Sequence, residues 1–177
     1  MYWVGHIATL ASIFVIFAAL SILYVVRATN PVEWQPVSLP PQLLFSTGLL
    51  GGASFTVELA RRALRNGELK RYTTWLLRTG AVCLAFVISQ LLCWRLLLAQ
   101  RADGHTNGKF FYLLTGAHAL HIIGGLMALG YLIWRVWNPW RSHPGERRSA
   151  ITAMLAAYWH FMFAIWLALY ALLAVYG

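Results

Sequence analysis

The sequence predicts an all-α integral membrane protein, a bundle of about five transmembrane helices, and three observations carry that prediction. Of 177 residues, 60% are hydrophobic and only 11% charged, where a soluble domain has about a quarter of its residues charged. Five apolar runs are each long enough to cross the roughly 30 Å of bilayer hydrocarbon. The basic residues and turn-forming residues fall between those runs.

The first run, about 3–26, ends at Arg27. It has no basic stretch before it and is too long for a signal peptide, so it is expected to be a retained span. Pro31, Pro36, Pro40 and Pro41 then forbid a continuing helix, and Trp34 suits the membrane interface. The second run, about 43–64, carries Ser46, Thr47, Gly48, Gly51, Gly52, Ala53 and Ser54. Small side chains let helix backbones approach, so this span is expected to pack closely on a neighbour. Near its end Glu58 precedes Arg61 and Arg62 at i+3 and i+4, the spacing of an ion pair on one helix face.

Asn66-Gly67 marks a turn within the most basic stretch of the chain. A third run follows at about 79–98, with Gln90 in mid-span, where its amide has to be satisfied internally. The fourth, about 110–134, is entered through a polar turn carrying Asp103, Gly104, Asn107, Gly108 and Lys109. The fifth, about 151–176, contains Tyr158, Trp159 and His160. Without a repeat of fixed period or a low-complexity tail, 1–177 is taken as a single transmembrane helical domain.

The net charge of +9 comes from 14 basic and 5 acidic residues. The basic residues form no stripe interleaved with aromatics, so nucleic acid is excluded as a partner. They report topology instead. With the N-terminus cytoplasmic, ten lie inside (Arg61, Arg62, Arg65, Lys70, Arg71, Arg78, Arg135, Arg141, Arg147, Arg148) and four outside (Arg27, Arg95, Arg101, Lys109). The excess predicts a cytoplasmic N-terminus and a C-terminus outside.

His118 and His121, three residues apart, share one face of the fourth helix. A polar side chain at that depth needs a partner. Hydrogen bonds to a neighbouring helix or a lipid headgroup would supply one, and so would a haem held by one of them together with His160 or His6. Gly116, Gly124, Gly125 and Gly130 on the same helix signal close packing and not a phosphate loop, because no strand precedes them. Cys83 and Cys93, about 15 Å apart along one helix, cannot bond to each other and are expected as small buried hydrophobes. There is no candidate nucleophile beside a base, no structural-metal spacing and no carboxylate pair, so no catalytic, metal or cofactor-binding residue is assigned.

The segment DGHTNGKFFYLLTGAHALHIIGG, with YWHFMFAIWLALYALL and LPPQLLFSTGLLGGASFTVELARRAL, resembles subunit III of haem-copper terminal oxidases, the cytochrome c and quinol oxidase family, in its short five-helix bacterial form. The resemblance covers the chain from about Leu39 onward and, more weakly, the first helix. Three positions depart from it: Ile13, Cys93 and Phe163 stand where the family carries intramembrane acids.

The resemblance implies a multi-pass subunit of the bacterial inner (cytoplasmic) membrane, not an enzyme on its own. Such a chain packs beside catalytic subunit I, with subunit II in the complex, and holds structural phospholipids. Haem and copper are then expected in the partner subunits and none in this chain. His118, His121, His160, Gln90 and Trp159 become structural or lipid-contacting polar residues, and Arg61, Arg62 and Arg65 candidates for headgroup phosphates. Two alternatives stay open, a b-type cytochrome membrane anchor with a bis-histidine haem and an accessory subunit of a nitric-oxide reductase.

Overall fold

The computed structural model describes residues 2–29, 41–100, 106–138 and 145–176, with the side chains of Tyr2, of 97, 99 and 100, of 106–109 and of 145–146 outside the description. It has five helices: α1 (Tyr2–Ala28), α2 (Gln42–Arg65), α3 (Leu69–Gln100), α4 (Thr106–Trp137) and α5 (Gly145–Tyr176). All five are long and apolar enough to cross a membrane. Pro31, Trp34, Pro36 and Pro40, and Asp103 and Gly104, lie outside the described residues, while Pro41 stands just before α2.

Three helices begin earlier than the apolar runs suggest. α3 starts at Leu69 and not near 79, α4 at Thr106, and α5 at Gly145. The reason is common to all three: a helix does not stop at the edge of the hydrocarbon, and Lys70, Arg71, Asn107, Lys109, Arg147 and Arg148 extend it into the polar interface. Asn107, Gly108 and Lys109 thus belong to the first turn of α4 and not to a turn before it.

The α2–α3 connection forms where the sequence places it. The amides of Gly67 and Glu68 reach back to the carbonyls of Leu64 and Ala63 at 3.1 and 2.9 Å, the paired bonds that close a helix on a left-handed residue. Gly67 supplies that residue, with φ 74°, where a side chain would be strained.

Packing links α2 to α3 along most of its length, α2 and α4 to α5, α3 to α4, and α1 to α4 and α5; among the described residues the α1 and α2 backbones nowhere come within 8 Å, Cα to Cα. Hydrocarbon is as apolar as leucine, so close fit and hydrogen bonds across helices hold such a bundle together, each bond contributing roughly 0.6–2 kcal/mol. The small-residue face of α2 makes both kinds of contact. Leu50, Ala53, Val57 and Ala60 are fully enclosed. Thr79 Oγ1 of α3 donates to Thr56 Oγ1 at 3.0 Å, Gln90 Nε2 to Ser46 Oγ at 3.2 Å, and Trp166 Nε1 of α5 to Thr47 Oγ1 at 2.9 Å. Tyr72 and Thr152 join α3 to α5 through their hydroxyls, 3.0 Å apart. Cys83 and Cys93 are free and buried, as expected.

Candidate functional site

The predicted polar residues divide into two places. The first is the centre of the bundle. His118 is 1% exposed, and its ring lies 4.9 Å from Trp166 of α5, 6.0 Å from Phe17 of α1 and 6.4 Å from Phe86 of α3, centre to centre. Neither of its nitrogens has a hydrogen-bond partner among the described residues. The expected bond to a neighbouring helix is therefore replaced by ring contacts, in which aromatic faces and edges meet a polar ring at modest gain. His121, one turn on and half-buried, places Nδ1 2.7 Å from the Ala117 carbonyl of its own helix and its ring 5.4 Å from Phe17. Its backbone carbonyl accepts the Tyr158 hydroxyl at 2.7 Å. Trp159 is fully buried, packed where Gly125 leaves room for its ring. These residues hold α1, α4 and α5 together.

The second place is a groove of about 450 Å³ between α1 and α2, lined by Trp3, Glu58, Arg61, Arg62 and His160, with Ala153, Ala156 and Ala157 of α5 as its floor. The groove exists because the α1 backbone approaches α4 and α5 and stands away from α2, and because the α5 floor is alanine. Arg61 holds Glu58 with two bonds, Nε to Oε2 and an η-nitrogen to Oε1, both 2.7 Å. Arg62 Nε adds a third to Oε1 at 3.1 Å. This is the ion pair expected from the i+3 and i+4 spacing. Two guanidiniums on one carboxylate leave a positive charge in excess, and the Arg62 side chain is 68% exposed. Arg65, a turn further on, is exposed at the same end of α2.

His160 completes the groove. Its Nδ1 is 2.5 Å from Ser54 Oγ and its Nε2 3.8 Å from Glu58 Oε2. A serine beside a histidine corrects the expectation that no nucleophile has an adjacent base: the two stand 106 positions apart in sequence and meet only through the α2–α5 contact. The pair has a structural role here. Ser54 is 4% exposed, and it sits in mid-helix, where backbone N–H groups are consumed by carbonyls four residues back and are not offered to an oxyanion.

Gln90 lies apart from both places, with Nε2 on Ser46. The histidines are likewise dispersed. His118 is enclosed by aromatic rings, His160 lines the α1–α2 groove, and His6 lines a different cavity with Gly124, Gly125 and Tyr158.

Sequence reasoning missed Ser54, Trp3 and Thr47, because a lone hydroxyl or a terminal tryptophan carries no spacing signal. The small-residue pattern that flagged α2 already contained Ser54 and Thr47, and pairing them with α5 needed the fold.

Comparison with known proteins places these features in a family context. The family described as cytochrome c oxidase subunit III matches residues 1–177. A probable cytochrome c oxidase subunit 3 of Mycobacterium tuberculosis is 31% identical over 182 residues, covering 98% of this chain and 87% of that protein. One from Nocardia farcinica is 30% identical over 177 residues, covering 97% and 86%. The cytochrome c oxidase subunit 3 of Thermostichus vulcanus is 26% identical over 174 residues, covering 97% and 85%.

Proposed function

This chain belongs to the cytochrome c oxidase subunit III family, and from that premise we propose that it is the non-catalytic third subunit of a respiratory terminal oxidase, seated against catalytic subunit I with subunit II in the same complex. Membership makes it a multi-pass membrane protein and a subunit of an oxidase. The finer reading is that it lies in a bacterial inner membrane with its N-terminus cytoplasmic, holds no cofactor of its own, and leaves haem and copper to its partners. Its contribution is mechanical: it stabilises the catalytic subunit and holds structural phospholipid.

The observation that carries this reading is the excess positive charge at the mouth of the α1–α2 groove. Arg61 is committed to Glu58 through both carboxylate oxygens, while the largely exposed Arg62 gives only its Nε. An anionic headgroup at the groove mouth would accept charge-assisted bonds from Arg62 and meet a net positive field. The alanine floor leaves space for an acyl chain below it. The named relatives are oxidase subunits, which favours an oxidase over a nitric-oxide reductase as the parent complex.

The test is lipid mass spectrometry on the intact complex, extracted in mild detergent, with and without the Arg61→Ala/Arg62→Ala pair. The variant complex should lose anionic phospholipid while keeping its subunits. Unchanged lipid content would remove this groove from the account.

A further inference from the structure

His121 stands near the middle of the Phe110–Trp137 span of α4, with Phe17 of α1 beside it. At the standard rise about 16 Å of helix separates it from the nearer end of that span. In a neutral imidazole one nitrogen donates and the other accepts, and the fold decides which. Nδ1 lies 2.7 Å from the Ala117 carbonyl. A carbonyl only accepts, so Nδ1 carries the proton and Nε2 is a bare acceptor.

The ring is held in that orientation. Its Nδ1–H is tied to its own helix, Phe17 packs 5.4 Å away, centre to centre, and the His121 carbonyl accepts the Tyr158 hydroxyl. Both nitrogens of His118 are sealed inside the bundle, whereas Nε2 of the half-buried His121 is open to the surroundings, with no partner among the described residues. Ala117 and Gly124, about one turn to either side on the same face, have side chains too small to cover it.

Thr9 and Ser12, on the exposed surface of α1, avoid this situation by donating to carbonyls four residues back, both at 2.9 Å. Nε2 has no such local solution. It is an acceptor, and in mid-helix every backbone N–H is already spent on a carbonyl. The donor has to come from outside the chain, and depth limits its source. Acyl chains carry no donor, and lipid amines and hydroxyls stay at headgroup level, roughly 15 Å from the bilayer centre. A side chain on a neighbouring transmembrane helix is what reaches this plane, and a subunit of an oxidase has other subunits beside it.

We propose that the α1–α4 edge at His121 is a helix-docking surface, on which a transmembrane helix of another oxidase subunit places an uncharged N–H or O–H donor against His121 Nε2. The inference rests on the chain's place in an oxidase complex and is independent of the phospholipid groove.

The experiment uses the intact complex in mild detergent. A photoreactive p-benzoylphenylalanine in place of His121 should cross-link to a transmembrane segment of another subunit. His121→Phe keeps a ring against Phe17 and removes the acceptor. Retention of the chain in the complex on native gels, normalised to the amount inserted in the membrane, should fall about fivefold, the scale of one hydrogen bond between membrane helices. His121→Gln places an amide oxygen near the position of Nε2 and should restore retention. If His121→Phe fails to insert, the cross-link and the comparison of His121→Gln with the unaltered chain still decide. Cross-links confined to lipid or to this chain, full retention of His121→Phe, or a His121→Gln chain held as weakly as His121→Phe would each overturn the proposal. An unaltered chain that brings down no other subunit would overturn it together with the oxidase reading, a result distinct from the other three.

Discussion

Ser54 Oγ of α2 and His160 Nδ1 of α5 lie 2.5 Å apart, tying together the two helices that wall and floor the α1–α2 groove. The bond fixes the imidazole so that Nε2 faces Glu58 at 3.8 Å. It thereby connects a buried position on α2 to the ionic cluster one turn along.

Ser54→Ala should destabilise the subunit by about 1 kcal/mol, the usual scale for a hydrogen bond between membrane helices. His160→Ala should cost more, since it also withdraws a wall of the groove. A double-mutant cycle, measured as the midpoint of subunit loss from the complex on heating, should return a coupling of about 1 kcal/mol. Strict additivity would show that the short contact carries no energy.

The two adjacent glycines of α4 should respond differently to alanine. A Cβ on Gly125 would stand 2.8 Å from Tyr158 Cε1 and 3.2 Å from Trp159 Cζ2, whereas on Gly124 it would meet Tyr158 at an ordinary 3.9 Å. Tyr158 cannot swing away freely, because its hydroxyl donates to the His121 carbonyl, and Trp159 is fully buried. Gly125→Ala should therefore destabilise by about 1–3 kcal/mol, the overpacking range, while Gly124→Ala stays within about 0.5 kcal/mol. Thermal release of the subunit on native gels separates the two, and equal effects would contradict the packing described for α4 and α5.

His118 offers a test with the opposite sign. A buried ring whose two nitrogens lack hydrogen-bond partners among the described residues loses hydration without a bond in return. His118→Leu removes that cost and forfeits some ring contact with Trp166 and Phe17, so assembly should survive and stability change by no more than about 1 kcal/mol. Loss of the subunit from the complex, or loss of a chromophore, would show that His118 serves a partner.

The three positions where the family resemblance leads one to expect acids are filled by apolar side chains, with Ile13 5% exposed, Cys93 fully buried and the Phe163 ring packed directly against Gly51. Placing a carboxylate at Ile13, near the middle of α1, should destabilise by roughly 2–4 kcal/mol, the cost of an ionisable group in mid-membrane. Ile13→Glu should reduce the subunit's yield in the membrane, and Ile13→Gln should reduce it less. A glutamate accepted without penalty would mean that a polar or cationic group of the complex reaches this position.

Much of this arrangement is legible in the sequence, for identifiable reasons. Five spans follow from hydropathy alone. The Asn66-Gly67 turn follows from backbone chemistry, and the Glu58 pairing with Arg61 and Arg62 from helix spacing, since all three are local. What was not legible is what depends on the relative rotation of helices. Thr47 meets Trp166, Ser54 meets His160, and the rings of Phe17, Phe86 and Trp166 close around His118, each contact joining positions far apart in the chain. Helix starts were also misplaced at α3, α4 and α5, because an apolar run marks the hydrocarbon and not the helix. The His118–His121 spacing gave the shared face correctly but not the partners, which are aromatic rings and a carbonyl of the same helix.

The central claim is that this chain is an accessory subunit without a chromophore of its own, and an optical spectrum tests it most directly. The tagged chain would be purified twice, once in mild detergent with its complex and once after dissociation from it. Haem absorption should accompany a co-purifying haem-copper subunit in the first preparation and vanish from the second. A stoichiometric haem band retained by the isolated chain, lost on changing His118 or His160 to Ala, would contradict the account and restore the bis-histidine anchor in its place.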